Sequence, residues 1–165
     1  MSNPLASPSE YSIFIHELPQ RYTSIERSSL VYIPLGSQFG RVAGMVFFAN
    51  DIVLCIQEFV NFELQVIEGY GYEVSRNLTP GEHQPSTDEY CGASYPDKEK
   101  SYWYDSFPHP HDPTLASTHP HHKHVPPSIK RNRIPAPNLT FTAPNLPFLI
   151  EEIEQELLPH RSSPT

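Results

Sequence analysis

The hydrophobic and polar positions change period along the chain. From residue 52 to 62 (IVLCIQEFVNF) they alternate: Ile52, Leu54, Ile56, Glu58, Val60 and Phe62 share one side, and Gln57 and Asn61 take the other. That period of two predicts a strand with one buried face. Similar runs at 28–35 (SSLVYIPL), 41–49 (RVAGMVFFA), 64–75 (LQVIEGYGYEVS) and 101–107 (SYWYDSF) are rich in β-branched and aromatic residues and predict further strands. Gly69 and Gly71 stand between aromatics in the fourth run and point to a bulge or a close backbone approach. The connections are short, so the strands should form an antiparallel meander. An extended piece at 138–142 is also expected.

Two stretches carry a helical period. Near the N-terminus, Ile13, Phe14 and Leu18 fall on one side of a helix expected over 10–18, capped by Ser9 and ended by Pro19. Near the C-terminus, Leu146, Leu149, Ile150, Ile153 and Leu157 recur at i, i+3, i+4, i+7 and i+11, with Asn145 as cap and Pro147 in the first turn. Glu151, Glu152, Glu154 and Glu156 lie mainly off that stripe. The pattern therefore predicts an α+β domain: a meander of four to five strands with an N-terminal helix and a C-terminal amphipathic helix. Its expected limits are 10–158. Residues 1–9 and 159–165 should be tails, 77–100 a mobile insertion, and 107–127 a His/Pro-rich loop.

Composition narrows the class. The chain has 165 residues, 19 prolines and 9 histidines, and 12% of its residues are aromatic, enough to build a core. No apolar run approaches the ~20 residues of a membrane-spanning helix, and the N-terminus has no basic region of the signal-peptide kind. A cytoplasmic location is expected. Cys55 and Cys91 are too few for a disulfide framework, and Cys55, in an apolar run, reads as a buried inert thiol. The net charge is −8, yet residues 113–150 contain no Asp or Glu and carry Lys123, Lys130, Arg131 and Arg133. A basic stretch on an acidic protein suggests an anion site, or a solvated loop.

Six histidines fall between residues 109 and 124 (HPHDPTLASTHPHHKH). Three readings compete. The imidazoles of His109, His111, His119, His121, His122 and His124 can ligate Zn²⁺, Ni²⁺ or Cu²⁺, but no cysteine partner or His-x₃-His helix completes a tetrahedral set. Two of them can instead serve as base and acid in RNA cleavage, one taking the ribose 2′-OH proton and the other protonating the leaving 5′-oxygen, with Lys123 or an arginine stabilising the phosphorane. The third reading is a loop that covers a sheet edge or docks a partner.

Other candidates also have plain and functional readings. Asp105 ends a strand just before the histidines, where it can orient an imidazole and raise its pKa or merely form a turn. Tyr70, Tyr72, Tyr102 and Tyr104 should share a face, as sheet packing or as platforms for bases. Trp103, on the opposite face, reads as core. Glu58, on the apolar side of its strand, needs a partner such as Arg76 or Lys123, or acts as a base. Arg131 and Arg133 grip phosphate or solubilise a loop.

The motif order resembles the TumE family of bacterial toxin–antitoxin proteins. Tyr70-Gly71-Tyr72, Tyr104-Asp105, Pro108-His109-Pro110-His111 and Thr118-His119-Pro120-His121-His122-Lys123-His124 carry the resemblance, with Ile56-Gln57-Glu58-Phe59 resembling the family's Glu-bearing strand. It spans roughly residues 28–158. The resemblance implies a small α+β toxin with RNase-like activity, neutralised by a partner encoded beside it, expected to be a small helix-turn-helix antitoxin. Joined to the acid–base reading, it gives a metal- and cofactor-independent endoribonuclease. His109, His111, His119, His121, His122, His124, Lys123 and Asp105 are then the catalytic candidates, and Tyr70, Tyr72, Tyr104, Arg131 and Arg133 bind RNA. The rival is a non-enzymatic interaction or metal-binding protein that uses the His/Pro loop.

Overall fold

The computed structural model describes residues 3–79 and 98–159. It is an α+β fold in which one antiparallel sheet carries eight strands, more than the four to five expected. They are β1 (Ile25–Ser28), β2 (Val31–Pro34), β3 (Phe39–Phe48), β4 (Ile52–Asn61), β5 (Val66–Asn77), β6 (Lys98–Asp105), β7 (His122–His124) and β8 (Arg133–Pro135). The spatial order is β1-β3-β4-β5-β6-β7-β8, and β2 also pairs with β3. The run expected at 28–35 is thus two short strands side by side along β3. The segment at 138–142 is not a strand.

Helix α1 (Pro8–Arg21) starts earlier and ends later than its pattern suggested. Ser7, not Ser9, is the cap: its Oγ accepts from the Glu10 N–H at 3.1 Å, and Pro8 follows where a missing N–H costs nothing. Pro19 lies inside the helix rather than ending it, because the last turn closes past it through Tyr22 N–H to the Leu18 carbonyl. Residues 3–9 are not a tail. A short 3₁₀ turn at Pro4–Ala6 buries Leu5 completely. Residues 80–97, most of the expected insertion, and 160–165 lie outside the described residues.

Helix α2 (Leu146–Glu156) follows the apolar stripe read from sequence, burying Leu146, Leu149, Ile150 and Ile153. Asn145 stands at its cap position but does not cap it. Its amide accepts from Thr140 N–H and donates to Tyr72 Oη and the Thr140 carbonyl. α1 and α2 supply Leu18, Leu149 and Ile153 to one core with the inward positions of the sheet, among them Val46, Leu54, Ile56, Tyr72 and Val74. The predicted inward side of β4 is buried at Ile52, Leu54, Ile56, Glu58 and Val60, but Val53, Cys55 and Asn61 on the other side are buried as well. A bulge between β4 and β5 lies beside Gly69, in keeping with the signal of that glycine.

Cys55 is buried on the sheet's other face but is not a free thiol: its sulfur is disulfide-bonded. Among the described residues, no helix is long and apolar enough to cross a membrane.

Candidate functional site

The histidine block is not a loop throughout. It contains a 3₁₀ turn (Pro113–Thr118) and then β7, which hydrogen-bonds to β6 on one side and β8 on the other. Asp105 pairs in register with His122 and Trp103 with His124. Strand alternation then sorts the block. His122 and His124 project to the face carrying Trp103 and Asp105, and Lys123 projects to the helix-covered face carrying Tyr102 and Tyr104.

On the first face three side chains converge. His122 Nε2 lies 3.0 Å from Asp105 Oδ1, His124 Nε2 lies 3.2 Å from Asp105 Oδ2, and the two Nε2 atoms are 3.1 Å apart. Each ring is fixed from behind. His122 Nδ1 is 3.0 Å from the Pro120 carbonyl and His124 Nδ1 is 2.9 Å from the Ile129 carbonyl. A carbonyl only accepts, so both Nδ1 atoms carry hydrogen and both Nε2 lone pairs face the cluster in the neutral rings. Trp103 stacks on His124 at 4.1 Å between ring centroids, and its Nε1–H donates to Asp105 Oδ2 at 3.2 Å. It is half-buried beneath the cluster rather than part of the core.

The charges follow from these contacts. Burial works against the Asp105 carboxylate, but hydrogen bonds from His122, the Phe107 N–H and Trp103 outweigh it and hold Asp105 at about 2. Burial also opposes charge on His122, yet Asp105 and the Pro120 carbonyl raise it above the usual imidazole range. Burial takes His124 below that range.

Around this centre, His109 packs edge-on against His122 at 4.8 Å. Arg133 is opposite His124 on β8, and its Nε is buried with no hydrogen-bond partner. Alongside runs a cleft of about 210 Å³, lined by Gln57, Gly71, Glu73, Lys100, Trp103 and Asp105. Gly71 pairs in register with Asp105, and among the described residues nothing lies within 4 Å of where its Cβ would stand. The missing side chain keeps the flank of Asp105 open.

Several candidates lie elsewhere. Lys123, expected to face the phosphate, is 2.7 Å from Glu152 Oε1 and sits over the Tyr102 ring at 4.0 Å, under α2. Tyr70, Tyr72 and Tyr104, expected to stack bases, are buried on the same covered face and offer no platform. Tyr70 instead meets His121, whose Nδ1 is 2.6 Å from the phenol oxygen, so His121 also points away from the centre. His111, His119 and Arg131 are exposed and outside the cluster. Among the described residues Glu58 has no basic partner: it accepts from Tyr11 Oη and, at 2.7 Å, from Tyr72 Oη. Tyr11, on α1, went unnoticed because nothing local links residues 47 positions apart.

A family model described as Toxin TumE matches residues 15–157. The chain belongs to the TumE toxin family. Its motif residues thus come together only in part: Asp105, His122 and His124 meet on one face, and the tyrosines, His121 and Lys123 on the other. No curated protein and no solved structure matches the chain.

Proposed function

We propose that this protein is the toxin of a toxin–antitoxin pair, that it cleaves RNA, and that RNA is bound on the sheet face around Asp105, His122 and His124. Family membership supports the toxin role and, with it, an antitoxin partner. The observation that carries the site is the convergence of Asp105 Oδ1 and Oδ2 with His122 and His124 Nε2 within 3.0–3.2 Å beside an open cleft. A nucleobase enters the cleft over Gly71, which sets the adjoining phosphate against the cluster.

The guanidinium of Arg133, opposite His124, is the cation for that phosphate, the part the sequence reading gave to Lys123. An arginine suits it, because its planar donors match phosphate oxygens and hold their charge as negative charge builds on the phosphorane. His109 is the outermost histidine of the group and the one placed to pass a proton between the ribose and bulk water. Asp105, through His122, holds the centre in one geometry.

The test is twofold. Induced expression should stop growth, and co-expression of the neighbouring gene's product should restore it. The purified chain should cleave single-stranded RNA, and Arg133→Ala should lose most of that rate while keeping its melting temperature. Growth without arrest, together with intact RNA after prolonged incubation, would leave the rival reading of a non-enzymatic interaction protein.

A further inference from the structure

We infer that Asp105, His122 and His124 form a binding site for one divalent first-row transition ion of the Zn²⁺ class. The proposal rests on the proposed centre, using the same side chains, and its primary readout is ion binding.

Both Nδ1 hydrogens are committed to carbonyls, so in the neutral rings three acceptors converge: two Nε2 lone pairs and a carboxylate. A cation at the centre, a proton or a metal ion, suits such an arrangement. A proton on His122 Nε2 reaches Asp105 Oδ1 but cannot also lie between His124 Nε2 and Asp105 Oδ2, which are 3.2 Å apart. A divalent ion satisfies all three contacts at once.

The spacing agrees. Zinc lies about 2.0–2.2 Å from imidazole nitrogen and carboxylate oxygen, so ligand atoms around a tetrahedral ion are about 3.3 Å apart. Here the two Nε2 atoms are 3.1 Å apart, and they lie 3.0 and 3.2 Å from different oxygens of the Asp105 carboxylate; taken one ligand atom per residue, the three lie within 4.8 Å of one another. The surroundings have the form that ligating histidines require. The carbonyls of Pro120 and Ile129 fix the tautomers, and Trp103 stacks on the ring of His124 and donates to Asp105 Oδ2, the oxygen that faces His124. Two imidazoles and one carboxylate favour Zn²⁺ or its neighbours over Mg²⁺ or Ca²⁺, which prefer all-oxygen shells. Three protein ligands leave a position open towards the cleft. An ion there would supply Lewis-acid stabilisation of charge on a phosphoryl oxygen.

The experiment uses the untagged chain, stripped with a chelator and dialysed. Zn²⁺ is titrated by calorimetry, and Co²⁺ is followed by its visible absorption. The expected result is one ion per chain at a site that Asp105→Asn weakens by more than the about 10–100-fold typical of outer-shell changes. Trp103→Phe, which keeps the ring but removes the Nε1–H, should weaken it within that range. His16→Ala, on the exposed face of α1, should change nothing. Identical titrations for wild type and a folded Asp105→Asn, as exposed histidines would give, overturn the proposal. RNA cleavage by a chain that binds no ion removes the metal site and leaves the proposed function. Tight binding by a chain that cleaves no RNA does the reverse.

Discussion

Replacing Lys123 by methionine separates a structural lysine from a catalytic one. Methionine keeps the apolar stem over Tyr102 and Tyr104 and deletes the amine that lies 2.7 Å from Glu152 Oε1. The two side chains are only 13% and 9% exposed, so the variant leaves a carboxylate under α2 without its counter-ion. Breaking a buried pair from one side costs about 3–5 kcal/mol. Tyr104 Oη still donates to Glu152 at 2.8 Å, which argues for the lower end, about 2–3 kcal/mol after that discount. For a domain of this size that is a fall of roughly 4–12 °C in melting temperature. Adding Glu152→Gln removes the stranded charge, so the double variant should recover most of the loss. The assay is thermal and urea melting of the two single variants and the double, with RNA cleavage measured well below every melting point. The reasoning predicts a large, mutually compensated stability change and cleavage close to wild type per folded molecule. A Lys123→Met protein of unchanged stability that no longer cleaves RNA would refute it and return Lys123 to the phosphate.

Gly71→Val should fold normally, since its Cβ meets nothing within 4 Å and valine suits a strand; by closing the cleft beside Asp105 it should abolish cleavage, so a folded, active Gly71→Val would discard the cleft. Burial raises the pKa of Glu58 despite the opposing hydrogen bonds from Tyr11 and Tyr72. Its contribution to stability is therefore complete below the unfolded value of about 4.3 and is lost as pH rises through the higher folded value. Urea melts across that interval should show Glu58→Gln gaining on wild type with rising pH, and parallel curves would contradict this. Leu5→Ala should cost about 2–5 kcal/mol, because Leu5 is fully buried; a melting temperature equal to wild type would restore the expectation of a frayed N-terminus.

What could be read from the sequence was what a strong local period encodes. The apolar positions of β4 recur every second residue, and α2 repeats its stripe over three turns, so the core-facing side of each was visible before the fold; burial of Val53 and Cys55 on the other side of β4 was not. β7 and β8 were not. Each is three residues long and set among prolines; β7 exists because β6 lends it main-chain hydrogen bonds, and β8 because β7 does. Missing β7 had a direct consequence for the site. Read as a loop, residues 119–124 seem a single pool of imidazoles around a lysine. Read as a strand, His122 and His124 go to one face with Asp105, and Lys123 goes to the other. Arg133 was named as one phosphate-gripping residue of two, but only the β7–β8 register sets it opposite His124 and leaves Arg131 outside. The N-terminal boundary failed because a Ser-Pro-Ser-Glu run offers two caps, and only burial of Leu5 decides that the chain is ordered before Ser7.

The most direct test of the central claim is the rate of RNA cleavage by Asp105→Asn beside wild type, on the same RNA and at equal folded fraction by melting. Asparagine keeps the shape of Asp105 and removes the negative charge that both Nε2 atoms face. A centre that depends on this carboxylate should lose about 10²–10⁴-fold in rate, with growth arrest lost in parallel. A folded Asp105→Asn that cleaves RNA at the wild-type rate and still arrests growth would place the toxin's chemistry elsewhere.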